Sequence, residues 1–457
     1  MITIKTLAIN ALFMGTLGLF YANSSNAGIA LEHWTQASGT QVYLAQSHAL
    51  PMVDVQLDFD AGGRRDPPPQ IGLASVTAIM SGMGVRANSA RGESALDENA
   101  LGEAWADLGA SFSGHASHDR MSFALRSLTY PDLLTKAVLL AARQLAEPSF
   151  PADIWQRERE TLNAAIKEAN TRPATLVERA FEQAVFGSHP YGYEATEATL
   201  ARISVDDMAA LQRQLIQPCR AKVTLVGALT REQADALVTQ LLSRLTNGAI
   251  DSSALASNCS VLPAVAEVEP LVQPSEQRIA FDSAQAHVLI GQPGYKRDDP
   301  DFFALTVGNY ILGGGGFVSR LTHEVREKRG LSYSVYSYFS PGLHAGAFTI
   351  GLQTRPDQAE QALRVSREVL ASFVTEGPTP VELKAAKDNL IGGFALRLDS
   401  NRKLLDNVTN IAWNKLPLNY LDTWTQQIDK VTVADIKAAF GRKLQPEKMA
   451  TVVLGGV

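Results

Sequence analysis

The sequence predicts an α+β fold in which a two-layer domain of strands and helices occurs twice in tandem. The main observation is an internal repeat, in which residues 203–227 align without a gap to residues 431–455, a shift of 228 positions. In both segments a hydroxyl residue, Ser204 or Thr432, precedes an aspartate by three positions, which predicts a capped helix. Each segment then continues through Gln-Pro into an apolar strand that ends in glycine.

Two further matches occur in the same order along the chain. Proline-led helix starts lie at Pro151 and Pro380, and the strand from Val53 resembles the strand from His287. Three matches in one order favour a duplication over chance similarity. The amphipathic helices expected from the spacing of apolar residues are 101–108, 132–145, 153–170, 357–376, 381–395 and 402–413. Strands between these helices predict one sheet covered by one helical layer in each half.

Composition and the repeat boundaries divide the chain into four segments. We expect a signal peptide at 1–27, a first half at 28–245, a linker at 246–279 and a second half at 280–457. The linker is assigned to a stretch that is rich in alanine, serine, proline and valine and that lacks periodicity.

The N-terminal segment has the pattern of an export signal. Lys5 precedes an apolar run of 14 residues at 7–20, and small residues follow up to a cleavage site between Ala27 and Gly28. The run is short for a stable membrane span, and no basic residues follow it directly. We therefore expect an exported, cleaved protein in the periplasm, with an uncleaved N-terminal anchor as the alternative.

Charge and cysteine content limit the partners and the compartment. A net charge of -6 with 19% charged residues lacks the basic footprint of a nucleic-acid-binding protein. The two cysteines, Cys219 and Cys259, have 39 residues between them. A disulfide that ties the linker to the first half and two unpaired thiols both remain open from the sequence.

The histidines lack the spacing of a metal site. His115 and His118 have no third ligand nearby, and His323 begins a pattern in which Glu327 replaces the second histidine of H-E-x-x-H. We interpret the His323 turn as a solvated helix face, and His189 as packing or hydrogen bonding within its own turn. No metal is expected in this chain.

A stronger candidate is the pair Arg326 and Tyr333, seven positions apart. Arg326 lies near the end of a predicted helical segment, and Tyr333 lies at the start of a predicted strand. Gly330 permits a turn between them. A guanidinium and a phenol brought together in this way can both donate hydrogen bonds to a carbonyl oxygen. The pattern favours substrate binding over proton transfer, and no catalytic residue accompanies it.

With these motifs in view, the chain resembles the pitrilysin or insulinase-like zinc peptidases of family M16. It is most similar to the short bacterial forms that also resemble subunits of mitochondrial processing peptidase. The similarity spans nearly the whole mature chain, and its most specific motifs are GGGGFVSRLTHEVREKRGLSYSVYSY, FGSHPYG and the repeated Gln-Pro-strand-Gly ending. The resemblance implies a duplicated LuxS-like metallohydrolase fold.

Active M16 members carry an inverted zinc motif, H-x-x-E-H, in a helix that begins with Gly-Leu-Ala. The matching segment here is 72–80, where Ser75 and Ile79 occupy the histidine positions and Ala78 occupies the position of the general base. Without either imidazole or the base, this segment is not expected to hold zinc or to activate water.

The more distant glutamate ligand of the family is also missing. The matching position is Ala165, although nearby Glu160 and Glu168 leave this register open. We therefore expect no catalytic residue and no cofactor in this chain.

The Arg326 and Tyr333 spacing, in contrast, matches the substrate-binding pair of the family's second half. The resemblance implies a zinc-free, non-catalytic subunit of a heterodimeric M16 peptidase. Its partner carries H-x-x-E-H and zinc, while Arg326 and Tyr333 bind the peptide substrate. The alternatives are a peptide-binding or assembly module with no proteolytic role, and an independent metalloenzyme with unrecognised ligands. For the pair itself, the alternative is that Arg326 and Tyr333 only support the fold.

Overall fold

The computed structural model describes residues 30–245 and 259–455. The expected signal peptide at 1–27 and part of the expected linker, 246–258, lie outside the described residues. Each half contains one main β-sheet with helices packed on it, which confirms the predicted α+β fold. None of the helices within the described ranges is long and apolar enough to cross a membrane.

The first half contains eight strands and eight helices among its described residues. The strands are β1 (Leu31–Thr35), β2 (Gln41–Gln46), β3 (Met52–Phe59), β4 (Gly84–Val85), β5 (Leu96–Asp97), β6 (Ser111–Ala116), β7 (Met121–Leu128) and β8 (Lys222–Gly227). The helices are α1 (Leu73–Met80), α2 (Glu98–Asp107), α3 (Pro131–Ala146), α4 (Ala152–Ala169), α5 (Pro173–Phe186), α6 (Glu197–Leu200), α7 (Val205–Leu215) and α8 (Arg231–Leu242).

The second half contains five strands and six α-helices among its described residues. The strands are β9 (Ser275–Ile279), β10 (Ala286–Pro293), β11 (Ser334–Phe339), β12 (Ala347–Thr354) and β13 (Ala450–Leu454). The helices are α9 (Phe302–Asn309), α10 (Ala359–Glu376), α11 (Pro380–Gly392), α12 (Asn401–Trp413), α13 (Tyr420–Lys430) and α14 (Val433–Lys443). Two π-helical turns, Tyr310–Gly314 and Thr322–Glu327, lie between α9 and β11.

The two main sheets have related topologies. The first has the order β1-β2-β8-β3-β7-β6, and the second has the order β9-β13-β10-β12-β11. In each sheet one pair is parallel, β2 with β8 and β9 with β13, and the other neighbouring strands are antiparallel. The second sheet therefore repeats the order and direction of β2, β8, β3, β7 and β6.

The predicted helix caps are present in both halves. The Ser204 hydroxyl accepts from the Asp207 amide at the start of α7, and Thr432 accepts from the Asp435 amide at the start of α14. In both capping boxes the aspartate accepts in return from the backbone amide of the capping residue. Each box satisfies free amides of the first helical turn, which explains why both helices begin where the sequence predicts.

The expected linker ends earlier than the composition indicates. Residues 275–279 form β9, which pairs in parallel with β13 at the edge of the second sheet. The second half therefore begins before residue 280. The segment Ser-Glu-Gln-Arg-Ile is mostly exposed, so its sequence lacks the apolar alternation by which half-buried strands are recognised.

Each sheet is also covered by a helix from the opposite half. The side chains of Val177, Phe181 and Val185 in α5 pack on β10, β12 and β13 of the second sheet. Helix α12 packs on the first sheet, where Val408 and Ile411 belong to the same cluster as residues of β2 and β8. The sequence predicted a single helical layer per sheet and gave no indication of this exchange.

The first sheet also caps the exchanged helix α12. The Lys222 ammonium donates to the carbonyl oxygens of Ala412 and Trp413, both at 3.0 Å, at the C-terminal end of that helix. A cation at this position satisfies free carbonyls and complements the helix dipole. Burial lowers the pKa of Lys222 to about 8.

The structure joins Cys219 and Cys259 in a disulfide, which resolves the alternative left open by the sequence. Residues after Cys259 then follow the surface of the first half. Arg220 donates to the Ser260 carbonyl at 2.8 Å, and Arg65 donates to the Pro263 carbonyl at 3.0 Å. The linker is therefore fixed to the first half by both covalent and hydrogen bonds.

Replacing Ile411 by alanine tests the helix exchange. The Ile411 side chain of α12 is fully buried against the first sheet. We therefore expect its truncation to lower the free energy of unfolding by about 2–5 kcal/mol. Urea unfolding followed by tryptophan fluorescence measures the change. Leu139→Ala, on the exposed side of α3, is the matched control. Equal effects of the two substitutions would contradict the proposed role of the interface.

Removing the disulfide by Cys219→Ser and Cys259→Ser tests the linker attachment. The bridge closes a loop with a sequence separation of 40 residues. Loop-closure entropy then predicts a loss of about 4 kcal/mol in unfolding free energy. Chemical denaturation of the double variant beside the oxidised protein measures it, and unchanged stability would show that the linker hydrogen bonds suffice.

Candidate functional site

Arg326 and Tyr333 are brought together as the sequence predicts. Arg326 lies in the π-helical turn Thr322–Glu327, and Tyr333 directly precedes β11. Gly330 lies between them with φ 61°, in the left-handed region that favours glycine, and its amide donates to the Arg326 carbonyl at 2.9 Å. The turn at Gly330 therefore reverses the chain between the two side chains.

The Arg326 guanidinium contacts two aromatic rings. Its central carbon lies 4.8 Å from the ring centroid of Tyr333 and 4.7 Å from that of Phe317. Tyr333 is 81% exposed and Phe317 is 67% exposed. Among the described residues, the Arg326 guanidinium has no hydrogen-bond or ion-pair partner. Its donors and the Tyr333 phenol are therefore free to bind a ligand.

The pair borders a groove with a volume of about 520 Å³. One wall is formed by glycines 313, 314 and 316, and the other is formed by residues 333–338. A Cβ atom at Gly313 would lie 2.5 Å from the backbone nitrogen of Ser337, so the glycine allows the π-helical turn to pack directly against β11. Close backbone packing thus explains the need for glycine at position 313.

The positions that match the zinc motif lie on α1. Ser75 and Ile79 are exposed, one helical turn apart, whereas the Ala78 side chain is buried. The carbonyl of Ala78 faces β6, where a Cβ atom at Gly114 would lie only 2.8 Å from it. The helix therefore retains a close contact with the edge strand but presents a hydroxyl and an aliphatic chain in place of imidazoles.

A buried carboxylate holds the start of α1. The two oxygens of Asp66 accept from the amides of Gly72 and Ala74, at 2.8 and 2.9 Å. These amides belong to the first turn, which has no carbonyl partner of its own. Burial raises the pKa of Asp66 to about 6, and the amide hydrogen bonds oppose this rise.

Ala165 lies on the exposed surface of α4, and Glu160 and Glu168 are exposed on the same helix. Within residues 30–245 and 259–455, no group of three or more histidine, cysteine, aspartate and glutamate side chains is arranged to hold a metal ion. Since neither Ser75, Ile79 nor Ala165 offers a nitrogen or carboxylate ligand, the residues of this site do not fit zinc.

His189 and His323 both have partners within the protein. The Nδ1 atom of His189 accepts from the Tyr191 amide at 3.1 Å, and its Nε2 atom lies 3.0 Å from the Ala266 carbonyl oxygen. His323 forms an exposed pair with Glu327 at 3.0 Å. The Tyr191 contact confirms the local interpretation of His189, whereas the contact with distant Ala266 was not predicted. The exposed His323 pair confirms the solvated interpretation of its turn.

Comparison with known proteins identifies the family. The family model described as the peptidase M16 inactive domain matches residues 202–390. The crystal structure of a peptidase M16 inactive domain from Pseudomonas fluorescens is 32% identical to this chain. It has a TM-score of 0.84, and the alignment covers 93% of this chain and 98% of that chain. The chain belongs to the M16 peptidase family.

Two curated relatives span most of this M16 protein. A non-peptidase homolog, YmxG, from Helicobacter pylori is 27% identical, with 92% of each chain covered. An uncharacterized zinc protease, YmxG, from Bacillus subtilis is 24% identical, with 93% of this chain and 98% of the relative covered. A Helicobacter pylori protease of known structure, 17% identical with a TM-score of 0.81, shows the shared fold alone. Together with the substitutions on α1, the inactive-domain match describes a non-catalytic member of the family.

One polar junction of this M16 protein escaped the sequence analysis. The Asp119 carboxylate accepts from Arg64 at 3.0 Å and from the Tyr191 hydroxyl at 2.7 Å in the first half. It also accepts from the Leu343 amide at 3.0 Å in the second half. The motif FGSHPYG was the one sequence feature that pointed to this junction, because its turn positions Tyr191. The partners of Asp119 are distant in sequence, so their pairing could not be predicted. Burial and the Asp119 charge raise the pKa of Tyr191.

The pH dependence of stability tests the buried cap of α1. Because the folded-state pKa of Asp66 exceeds the ordinary value of 3.8, its contribution is present below pH 3.8 and is lost as the pH rises through 6. We expect the unfolding free energy of the protein, relative to Asp66→Asn, to fall by up to about 3 kcal/mol across this window. Denaturation at several pH values measures it, with exposed Asp132→Asn as the control. A constant difference would contradict the assignment.

Proposed function

We propose that this protein is the zinc-free subunit of a heterodimeric M16 peptidase. In this proposal, the second half brings Arg326 and Tyr333 to a zinc site carried by a separate chain with the H-x-x-E-H motif. The observation that carries the proposal is the Arg326 guanidinium, which lies between two exposed rings and has no acidic partner among the described residues. A cation retained without a partner at the edge of a groove is suited to an external ligand.

The chemistry of the pair suits peptide hydrolysis by a partner. When water attacks a peptide carbonyl, negative charge develops on the carbonyl oxygen. The Arg326 guanidinium and the Tyr333 hydroxyl are both donors that can stabilise this charge and orient the substrate backbone. Neither group can supply the nucleophile, so the partner must provide the zinc and the general base.

The proposed compartment is the periplasm, after cleavage near Ala27 and Gly28. The export pattern of the sequence supports this location, as does the Cys219 to Cys259 disulfide, since such bridges persist in oxidising compartments. We also infer that the two halves arose by duplication. The repeated strand order and the paired capping boxes at Ser204 and Thr432 support that origin.

The substitutions Arg326→Ala and Tyr333→Phe test the contribution to a partner's site. Activity is expected only when this protein is mixed with the co-encoded H-x-x-E-H chain. Loss of one donor to the developing charge is expected to lower kcat by about 100- to 1000-fold. Peptide turnover by the mixture is the measurement, with zinc content determined for each isolated chain.

Matched controls use groups outside the pair. Arg329→Ala removes a nearby guanidinium that is already paired with Glu324, and Tyr130→Phe removes an exposed phenol in the first half. Both should leave turnover near that of the unmodified mixture. If Arg326→Ala and Tyr333→Phe also leave turnover unchanged while the chains still bind, the protein acts as an assembly module instead. Stoichiometric zinc in this chain alone would contradict the zinc-free assignment.

A further inference from the structure

A second groove lies between the two halves, beside the exchanged helix α5. Its volume is about 490 Å³. One wall is α5, with Glu178 and Glu182 one helical turn apart, and the other wall is the face of β11 and β12 that carries Tyr338 and Thr349. This groove is separate from the α1 positions and is not used by the Arg326 pair.

The groove has an unbalanced negative charge. Among the described residues, the carboxylates of Glu178 and Glu182 have no hydrogen bond or ion pair, and no lysine or arginine lines the groove. His118 does line it, but burial lowers the pKa of this imidazole. Its third carboxylate, Asp119, is already bound by Arg64 and Tyr191. Burial and the charges of Glu178 and Glu194 raise the pKa of Glu182, although Arg179, which pairs with Glu194, opposes this rise. A cation placed beside Glu178 and Glu182 would relieve the remaining repulsion.

Aromatic rings complete this surface. The rings of Tyr336 and Tyr338 stack with centroids 5.9 Å apart and are partly exposed. Tyr336 lies flat on the sheet because its neighbour is Gly351, where a Cβ atom would be 2.5 Å from the ring. The face of a tyrosine ring attracts ammonium and guanidinium groups.

An independent observation comes from Thr349, which lies directly opposite Tyr338 on β12. Thr349 is 1% exposed and lines the groove, yet its hydroxyl oxygen has no hydrogen-bond partner. An unpaired buried hydroxyl is unfavourable unless a ligand donates to it. The hydroxyl, the two carboxylates and the ring thus all suit a ligand with several N–H donors.

We propose that this groove binds an arginine or lysine side chain of an extended peptide, through the carboxylates of Glu178 and Glu182, the Tyr338 ring and the Thr349 hydroxyl. This proposal depends on the proposed function in one respect, which is that the ligand is a peptide. Tyr338 also lines the groove that contains Arg326 and Tyr333, as does its stacking neighbour Tyr336, so one strand connects the two sites. Tyr338 lies five positions after Tyr333, or about 17 Å along the extended chain of β11. A peptide beside this strand would place its basic residue roughly five positions from the carbonyl held by the pair.

The test measures peptide binding to the isolated protein, without any catalytic partner. The probe is a fluorescent alanine and serine peptide that contains one central arginine, and its match contains citrulline, a neutral analogue of similar shape. Fluorescence anisotropy should give an affinity for the arginine peptide about three- to tenfold above that for the citrulline peptide. Equal affinities, or no binding of either peptide at about 1 mM, would overturn the proposal.

Variants identify the groups that bind the cation. Glu178→Gln with Glu182→Gln should abolish the preference for arginine over citrulline, whereas Glu103→Gln, an exposed carboxylate on α2, should retain it. Thr349→Val should weaken binding of the arginine peptide without lowering the unfolding midpoint, because it removes an unpaired buried hydroxyl. A preference that survives the double substitution would overturn the assignment.

Two further outcomes separate the ligand source and the two proposals. If spermidine displaces the arginine peptide at equal concentration, the groove binds free polyamines and the peptide assignment is wrong. If the arginine peptide binds as expected but the mixture with the H-x-x-E-H chain has no peptidase activity, the proposed function fails while the basic-residue site stands. If the mixture has peptidase activity that depends neither on the arginine of the peptide nor on Glu178 and Glu182, the proposed function stands while the basic-residue site fails.

Discussion

The reciprocal packing of α5 and α12 determines how the rest of the structure is arranged. Each helix covers the sheet of the opposite half, so each apolar sheet face is completed only when both halves are folded. The Lys222 cap and the Asp119 junction add polar contacts across the same boundary. As a result, α1 of the first half and the Arg326 turn of the second half keep fixed positions within one body, and the acidic groove exists only because α5 is exchanged.

The Arg326 site of the second half and the α1 positions of the first half differ in the chemistry of their exposed side chains. Around Arg326, the left-handed Gly330, the packed Gly313 and the two exposed rings form the proposed ligand-binding site. On α1, the scaffold is equally well formed, with a capped start and close packing on β6, but Ser75 and Ile79 carry no ligand chemistry. On α1, the backbone is therefore well packed, and the expected absence of zinc chemistry rests on its side chains.

The sequence predicted local features well and tertiary pairings poorly. Capping patterns at Ser204 and Thr432 identified helix starts because the partners lie three residues apart, and Gly330 identified the turn that joins Arg326 to Tyr333. The exchange of α5 and α12 was missed because an amphipathic pattern reveals that a face is buried but not which sheet buries it. Strand β9 was missed because its exposed, polar residues resemble a linker. The groove of Glu178 and Thr349 was missed because its walls are far apart along the chain.

The Asp66 cap fixes the start of α1 by contacts within the protein. A helix whose first turn is held by a carboxylate, and whose side packs on Gly114, owes its position to protein contacts. Such a helix does not require a metal ion as a structural support. Zinc ligands can therefore be lost from its exposed face without a change of shape, and the loss frees that face to diverge. The shape of α1 and the chemistry of its exposed side chains are therefore separable properties in this architecture.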